Sequence, residues 1–225
     1  MATFKKITNT NYVPNHVSPD LSHVEKYLND RLDELADLAN RGDPWVFGAC
    51  STYIEMLAFR VYYSRIITRN GPTRNQATGA DYIELCNDYL YPRRKNSVIR
   101  YSNGDEVKFT DQLYYILRCG VVHTFSMNPT PRNPNTAKPY SIILGHAQNF
   151  KSTKTKHLQK IKIDQASGSA SEEAVLIFAE DFVDDLKKCT KKIIQKAKKD
   201  CNLRNGILRS FETHPSFGWN LYSKM

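Results

Sequence analysis

The stretch WVFGACSTYIEMLAFRVYYSRII, residues 45–67, decides the fold that we predict. It follows Asp43-Pro44, a pair typical of a helix start, and apolar residues occupy nearly every side of the helix that it would form. A helix that is hydrophobic all round belongs in the middle of a bundle. Its one acidic residue, Glu55, must therefore either become neutral or find a cation, because burying an unpaired carboxylate costs several kcal/mol.

Two further helices are predicted on either side of this stretch. In residues 18–40, Ser18 is a candidate N-cap, Pro19 fits the first helical position, and apolar residues recur at steps of three and four. This pattern indicates an amphipathic helix. Residues 79–91 predict a shorter helix that ends at Pro92.

A fourth helix is predicted over residues 112–125, with Thr110 or Asp111 as its cap. The segment before it, SVIRYSNGDEVKFT at 97–110, alternates around an Asn-Gly pair. Either a small hairpin or a loop fits that pattern.

The last third of the chain predicts a strand pair and a long final helix. YSIILGH at 140–146 and HLQKIKID at 157–164 are short runs that fit two paired strands. Ser169 and Glu172 have the spacing of a capping box, which places the start of the final helix just after them. Its predicted buried stripe consists of Phe178, Phe182, Cys189, Ile193 and Ala197.

These patterns predict a mainly α fold, a bundle of about five helices with a small β-hairpin inserted before the last helix. We place residues 1–200 in a single domain and treat 201–225, which is aromatic but without a pattern, as a C-terminal extension. The chain starts without an apolar leader and has no run of eighteen apolar residues, so we expect a cytoplasmic protein with no membrane contact.

The five cysteines and six histidines are scattered, and no CxxC pair occurs. We therefore expect reduced thiols, no metal site and no cofactor.

The net charge of +9 is concentrated in the second half of the chain. Residues 1–110 carry 14 basic against 13 acidic side chains, whereas residues 111–225 carry 18 against 10. This asymmetry favours a polyanionic partner, most simply RNA, although a solvated basic surface gives the same counts. The candidate nucleic-acid-binding side chains are Lys188, Lys191, Lys192 and Lys199 on the final helix, with Arg93 and Arg94.

Arg118 and His123 are polar residues inside the otherwise apolar fourth helix. On an α-helix, residues five apart stand about 140° apart around the axis, so these two would not share a face. An Arg-x4-His spacing arises by chance about once in a chain of this size, and a second case joins Arg209 to His214. We discount the second case because it precedes a proline and lacks a helical pattern.

LYYILRCGVVHTF, residues 113–125, resembles the motif helix of the HEPN superfamily, in which an Arg precedes a His by four to six intervening residues. The resemblance covers residues 18–125 and 171–199. It implies metal-independent RNA cleavage by a homodimer, of the kind used in prokaryotic defence or toxin systems, with an antitoxin or defence protein as a further partner. The chain departs from many nuclease members at Cys119, where those proteins have a polar residue.

The resemblance gives each residue of the motif a role. His123 would act as general base or general acid, and Arg118 would bind the phosphate oxygens and stabilise charge in the transition state. Glu55 is our candidate for orienting Arg118, although Arg60 or Arg65 could pair with it instead.

Other hypotheses remain open. Arg118 could pair with Glu55 only to close a polar gap in the core, with His123 as a helix-end residue. The domain could also be a catalytically silent module that binds nucleic acid, a nucleotide or a protein. A nucleophilic pair of Cys119 and His123 is a further alternative.

Overall fold

The computed structural model describes residues 20–70, 76–100, 104–122, 142–150, 155–163 and 172–214. These residues form a mainly helical bundle with two small sheets. The α-helices are α1 (Leu21–Asn40), α2 (Val46–Val61), α3 (Tyr63–Asn70), α4 (Gly79–Leu85), α5 (Phe109–Leu113), α6 (Ala179–Lys199) and α7 (Cys201–Thr213). The strands are β1 (Val98–Arg100), β2 (Glu106–Lys108), β3 (Ile142–Gly145), β4 (Lys160–Ile163) and β5 (Glu172–Phe178).

Two π-helical segments extend α-helices of the bundle. Cys86–Leu90 continues α4, and Tyr114–Val122, which we call the motif π-helix, continues α5. Short 3-10 helices occupy Pro92–Arg94 and Ala147–Phe150. The predicted end of the third helix at Pro92 is confirmed, since the π-helical turn stops at Leu90.

The first helix begins later than predicted. Asp20 is its N-cap and accepts a hydrogen bond of 2.9 Å from the backbone N–H of His23, so the expected cap at Ser18 is wrong. At the other end, Gly42 adopts φ +70° and donates its N–H to the Ala39 carbonyl. This left-handed conformation favours glycine and ends the helix.

Helix α2 forms the centre of the bundle, as its all-round hydrophobicity predicts. It packs against α1, α4, the motif π-helix, α6 and α7, and Ile54, Leu57 and Ala58 are fully buried. The single helix predicted over 45–67 is interrupted at Tyr62, which separates α2 from α3.

Strands β1 and β2 form the antiparallel hairpin that the Asn-Gly pattern allows, with Ile99 opposite Val107. The caps predicted for the following helix are wrong. Helix α5 begins directly after β2, with Lys108 at the N-cap position and no side-chain cap, while Thr110 is already inside the helix.

The strand pair predicted before the final helix is wrong. Segments β3 and β4 do not pair with each other, because both pair with β5, which lies between them. β3 is parallel to β5 and β4 is antiparallel to it. Glu172 belongs to β5 rather than to a helix cap, and Ser169 lies outside the described residues. The apolar run from Ala174 to Phe178 is buried, which favours a central strand.

Helix α6 starts at Ala179, and its predicted stripe is buried, although Phe178 caps the helix rather than lying in it. Residues 201–213 of the predicted C-terminal extension form α7, which places Ile207 and Phe211 in the same hydrophobic core. The mainly helical prediction is confirmed, with seven α-helices in the described residues where about five were expected. None of the described helices is long and apolar enough to cross a membrane.

Candidate functional site

Arg118 and Glu55 form an ion pair between the motif π-helix and α2. The Arg118 Nε atom lies 2.6 Å from Glu55 Oε2, and Nη2 donates a hydrogen bond of 3.1 Å to Oε1. The guanidinium therefore meets the carboxylate with two donors, the geometry of a strong charge-assisted pair. The side chains remain 19% and 26% exposed, so the pair is not sealed inside the core.

The two alternative partners of Glu55 are engaged elsewhere. Arg65 donates to Asp81 at 2.7 Å and to Glu84 at 2.9 Å. Arg60 donates to the carbonyl of Ser210 on α7. The pairing that we predicted for Glu55 is the one the structure contains.

Arg60 belongs to the core rather than to a site. It is 5% exposed, and its guanidinium lies 4.1 Å from the ring centroid of Phe211. Burial lowers the pKa of Arg60 to about 10, which leaves it protonated at neutral pH. Its role is to join α2 to α7.

A cavity of about 260 Å³ adjoins the ion pair. Two sides of it come from Glu55 and Arg118, and a third from the start of α4. At that start, Thr78 and Asp81 form a capping box, and Asp81 is fully buried under Arg65. The cavity is lined by Glu55, Gln76, Ala77, Thr78, Gly79, Tyr82, Tyr114 and Arg118.

Two tyrosines in this wall stay protonated. Burial raises the pKa of Tyr114 and raises that of Tyr82 well above its ordinary value. Tyr114 packs so closely on Gly79 that a β-carbon there would lie 2.6 Å from the tyrosine Cζ atom. Gly79 is therefore needed for the close approach of this ring. Sequence reasoning missed Thr78, Gly79 and Tyr114, which carry no motif.

The fourth helix was predicted to be α-helical, but its residues 114–122 have a different winding. That segment is π-helical, and hydrogen bonds in a π-helix join residues five apart. Positions five apart therefore lie on one side of the motif π-helix, unlike in an α-helix. His123 itself lies outside the described residues.

The second Arg-x4-His match is structural. Arg209 is helical and exposed, so the expectation that this segment lacks a helix is wrong. The ring of His214 packs at 5.6 Å and 5.8 Å from the centroids of Phe59 and Tyr63. Burial lowers the pKa of His214, with a contribution from the nearby Arg60 charge.

Of the predicted nucleic-acid-binding side chains on α6, Lys192 lies beside the π-helical turn Cys86–Leu90 that continues α4, whereas Lys191 lines a cavity with residues of α1. The Lys192 Nζ atom lies 3.4 Å from the carbonyl of Tyr89, three residues before Pro92 and the predicted Arg93 and Arg94. Tyr89 follows Gly79 by ten residues, about 15 Å along a helix. The structure thus brings Lys192 near the Arg93 segment but does not bring either to the cavity of Arg118.

Several of these basic side chains have acidic or carbonyl partners. Lys188 pairs with Asp185 at 3.2 Å, and Arg94 donates to the carbonyl of Leu158 at 2.9 Å. Lys191 and Lys199 are exposed on α6. The Asp185 carboxylate therefore offsets the charge of Lys188, whereas the Arg94 charge is hydrogen-bonded but not neutralised.

Metal-binding clusters are absent from the described part of the chain, where three or more His, Cys, Asp or Glu side chains nowhere converge. All five cysteines are free. Burial raises the pKa of Cys189 to about 12, and that of Cys50 and Cys86 also lies above its ordinary value. Cys119 and Cys201 are the more accessible thiols.

Comparisons with family models, with curated proteins and with solved structures find no match to this chain.

Proposed function

We propose that the protein is a metal-independent endoribonuclease of the HEPN type, in which Arg118 and His123 cleave RNA. The observation that carries the proposal is the Arg118–Glu55 pair, since it holds a partly exposed guanidinium at the wall of a cavity. An arginine fixed in this way offers planar donors to a phosphodiester at little cost in side-chain entropy.

The chemistry is a transesterification within the RNA strand. His123 removes the proton of a ribose 2′-hydroxyl, the 2′-oxygen attacks the adjacent phosphorus, and the bond from phosphorus to the 5′-oxygen breaks. The leaving 5′-oxygen takes a proton from the protonated His123 of the second copy of the motif, which acts as general acid. The products are a 2′,3′-cyclic phosphate and a 5′-hydroxyl, so DNA is inert. Arg118 stabilises the additional negative charge on the phosphorane oxygens.

Glu55 is a positioning residue in this scheme. Its carboxylate accepts from Nε and Nη2 and fixes the plane of the guanidinium. We further propose that the active form is a cytoplasmic homodimer serving a prokaryotic defence or toxin system, with an antitoxin or defence protein as a further partner. In that form, two copies of the motif would share one cleft.

A second candidate is a catalytically silent module that binds RNA, a nucleotide or a protein. The Arg118–Glu55 ion pair also fits a silent module, because Glu55 occupies two donors of Arg118 and offsets its charge. Lys192, one of the side chains predicted to bind RNA, also contacts the Tyr89 carbonyl and does not line the cavity of Arg118.

The experiment is incubation of the purified protein with a mixed RNA substrate in EDTA, beside His123→Ala and His214→Ala. The second variant is a matched control, because its histidine also follows an arginine by five positions. We expect cleavage in wild type and His214→Ala and none in His123→Ala. If all three proteins bind RNA and none cleaves it, the nuclease proposal is wrong and the silent binding module is the better account.

A further inference from the structure

Helices α1 and α6 pack against each other, and two ion pairs join them at their exposed edge. Asp33 accepts from Lys187 at 3.1 Å, and Glu25 accepts from Lys198 at 2.8 Å. The later residue of α1 pairs with the earlier residue of α6, so the two helices run antiparallel. Residues four positions apart lie on one face of a helix. The positions between the two pairs therefore lie on the same edge.

Asn29 and Lys191 occupy the position between the two ion pairs. Asn29 precedes Asp33 by four residues and Lys191 follows Lys187 by four, so each lies about 6 Å along its helix from the first pair. We call the pairs Asp33–Lys187 and Glu25–Lys198, with Asn29–Lys191 between them, the α1–α6 row. Its outer positions combine a lysine with a carboxylate, whereas its middle position combines a lysine with a neutral amide. Lys191 is exposed and has no ion pair or hydrogen bond among the described residues.

A cavity of about 410 Å³ lies along this row. Asn29 and Lys191 line it together with the buried side chains of Leu32, Thr190 and Ile194. The Thr190 hydroxyl is already hydrogen-bonded to a tyrosine hydroxyl in the core, at 3.0 Å. The polar groups that the middle of the row offers to a ligand are therefore the Lys191 ammonium and the Asn29 amide.

The charge of the row selects the chemistry of the ligand. Each outer lysine has a carboxylate within 3.1 Å, so the uncompensated charge is the single positive charge of Lys191. A carboxylate has one negative charge and accepts hydrogen bonds from both an ammonium and an amide N–H. A nucleic-acid strand fits less well, because its neighbouring phosphates would approach the carboxylates of Glu25 and Asp33.

The chain itself has few carboxylates left for this position. Of its 23 acidic residues, all but Asp164 lie in the described ranges, where none contacts Lys191. Ile163, which precedes Asp164, pairs with Glu172 at the end of β5 that is remote from α6. A carboxylate beside Lys191 therefore belongs to another molecule.

We propose that the α1–α6 row is a docking surface for a partner protein, which inserts an Asp or Glu side chain between Asn29 and Lys191. One exposed ion pair contributes little affinity, so its effect is to select the partner and to fix its position. Glu25 and Asp33 repel further negative charge on either side. The partner segment therefore carries a single acidic residue at this place rather than an acidic run. The proposal does not depend on Arg118 or on RNA cleavage.

Selection from a random dodecapeptide phage library on the immobilised full-length protein tests the proposal. Enriched peptides are synthesised, and their affinities are measured by fluorescence anisotropy. At least one enriched peptide should contain an Asp or Glu on which binding depends, and Lys191→Ala should weaken its binding about fivefold, the upper end of what one exposed ion pair contributes. Replacing that acidic residue by its amide should weaken binding by a similar factor.

Asn29→Asp places a carboxylate of the protein itself beside Lys191, so it should weaken peptide binding as Lys191→Ala does. Lys199→Ala is the matched control, because Lys199 is an exposed lysine of α6 that does not line the cavity. Each of these three variants lowers the net charge by one. Lys199 lies about 12 Å along the helix from Lys191, beyond the Debye length of about 8 Å, so its loss should weaken binding less than about twofold.

Three results would overturn the proposal. These are equal losses in Lys191→Ala and Lys199→Ala, unchanged binding to Asn29→Asp, and a selection that enriches no peptide dependent on an acidic residue. Circular dichroism checks that each variant is folded. Asp164→Asn should bind the peptide like the wild type, and tighter binding by it would show that Asp164 is the occupant instead.

Two further measurements test the other occupants. If analytical ultracentrifugation shows a wild-type dimer that dissociates in Lys191→Ala, the occupant is a second copy of the chain and the partner assignment is wrong. If Lys191→Ala weakens binding of an oligoribonucleotide more than Lys199→Ala does, in the His123→Ala background and with peptide binding unchanged, Lys191 belongs to an RNA site. RNA cleavage by the wild type is scored separately, so the nuclease and the docking surface can each fail alone.

Discussion

Two cavities lie along the central helix α2: the one beside Arg118, and a second of about 510 Å³ whose lining includes Trp45, Phe47 and His146. Their polar side chains differ in how they are paired. At the first, Arg118 and Glu55 satisfy each other with contacts of 2.6 Å and 3.1 Å. At the second, neither ring nitrogen of His146 has a hydrogen bond among the described residues, and the Glu180 carboxylate lies 3.5 Å from Nδ1. The difference separates a side chain that the protein has oriented through an ion pair from one that it has buried without a hydrogen bond among the described residues.

The largest expected effect is on Arg118. Arg118→Ala should reduce the single-turnover rate of RNA cleavage about 10²–10³-fold, the usual loss when one donor to a transition-state oxyanion is removed. Arg209→Ala is the control, since Arg209 is the exposed arginine of the second match and should leave the rate unchanged. Equal losses in both variants would show that the motif has no special role.

A smaller loss is expected when the orienting carboxylate is neutralised. Glu55→Gln keeps an acceptor for Arg118 but not the charge, and should lower kcat about tenfold with little change in KM, because positioning affects the transition state more than binding. Glu55→Asp, which restores the charge, should recover part of the rate. A purely structural role would instead lower the melting temperature and leave kcat of the folded protein intact.

Stability distinguishes the two cavities directly. Arg118→Met leaves Glu55 without its cation and should destabilise the protein by about 1–2 kcal/mol, given that hydrogen bonds to charged groups contribute about 1.5–3 kcal/mol when buried. His146→Phe removes unsatisfied nitrogens and should leave the melting temperature unchanged or raise it. A lower melting temperature for His146→Phe than for Arg118→Met would contradict this difference between the two cavities.

His157 and Asp185 form another polar pair, 3.2 Å apart, and its contribution to stability should depend on pH. Burial opposes ionisation of Asp185, but hydrogen bonds from His157 and Lys188 prevail and lower its pKa below the ordinary 3.8. The unfolded chain then binds more protons in this range, so the stabilisation is present above about pH 4 and is lost as the pH falls through the folded-state pKa.

Urea unfolding between pH 5 and pH 3 measures this loss. Asp185→Asn should show a smaller fall in the free energy of unfolding over that range than the wild type. Parallel curves for the two proteins would remove Asp185 as the source. The effect is the smallest of the four, because one partly exposed carboxylate contributes modestly.

Sequence patterns predicted the polar pair better than they predicted the sheet. Glu55 stood alone in an apolar helix and required a cation, and charge complementarity limited its partners to a few arginines. The strand β5 was missed because the capping-box spacing of Ser169 and Glu172 indicated a helix, while pairing with β3 and β4 favours a strand. Short apolar runs do not distinguish the two by periodicity.

Two features of the sites have no signal in a single sequence. Residues 114–122 pack against α2 and are π-helical, whereas the sequence pattern predicts an α-helix there. His146 follows an ordinary strand, and its missing hydrogen bonds become visible only when the neighbouring elements are placed. The helix α7 was missed because its apolar stripe is sparse.

The most direct test of the central claim is analysis of the ends formed when the protein cuts an oligoribonucleotide that carries one 2′-deoxy residue. If Arg118 and His123 promote transesterification of the RNA, the cleaved bonds end in a 2′,3′-cyclic phosphate and a 5′-hydroxyl. The bond on the 3′ side of the deoxy residue stays intact, because that residue lacks the 2′-hydroxyl. Cleavage at that bond, ends with a 5′-phosphate, or no cleavage of the strand would contradict it.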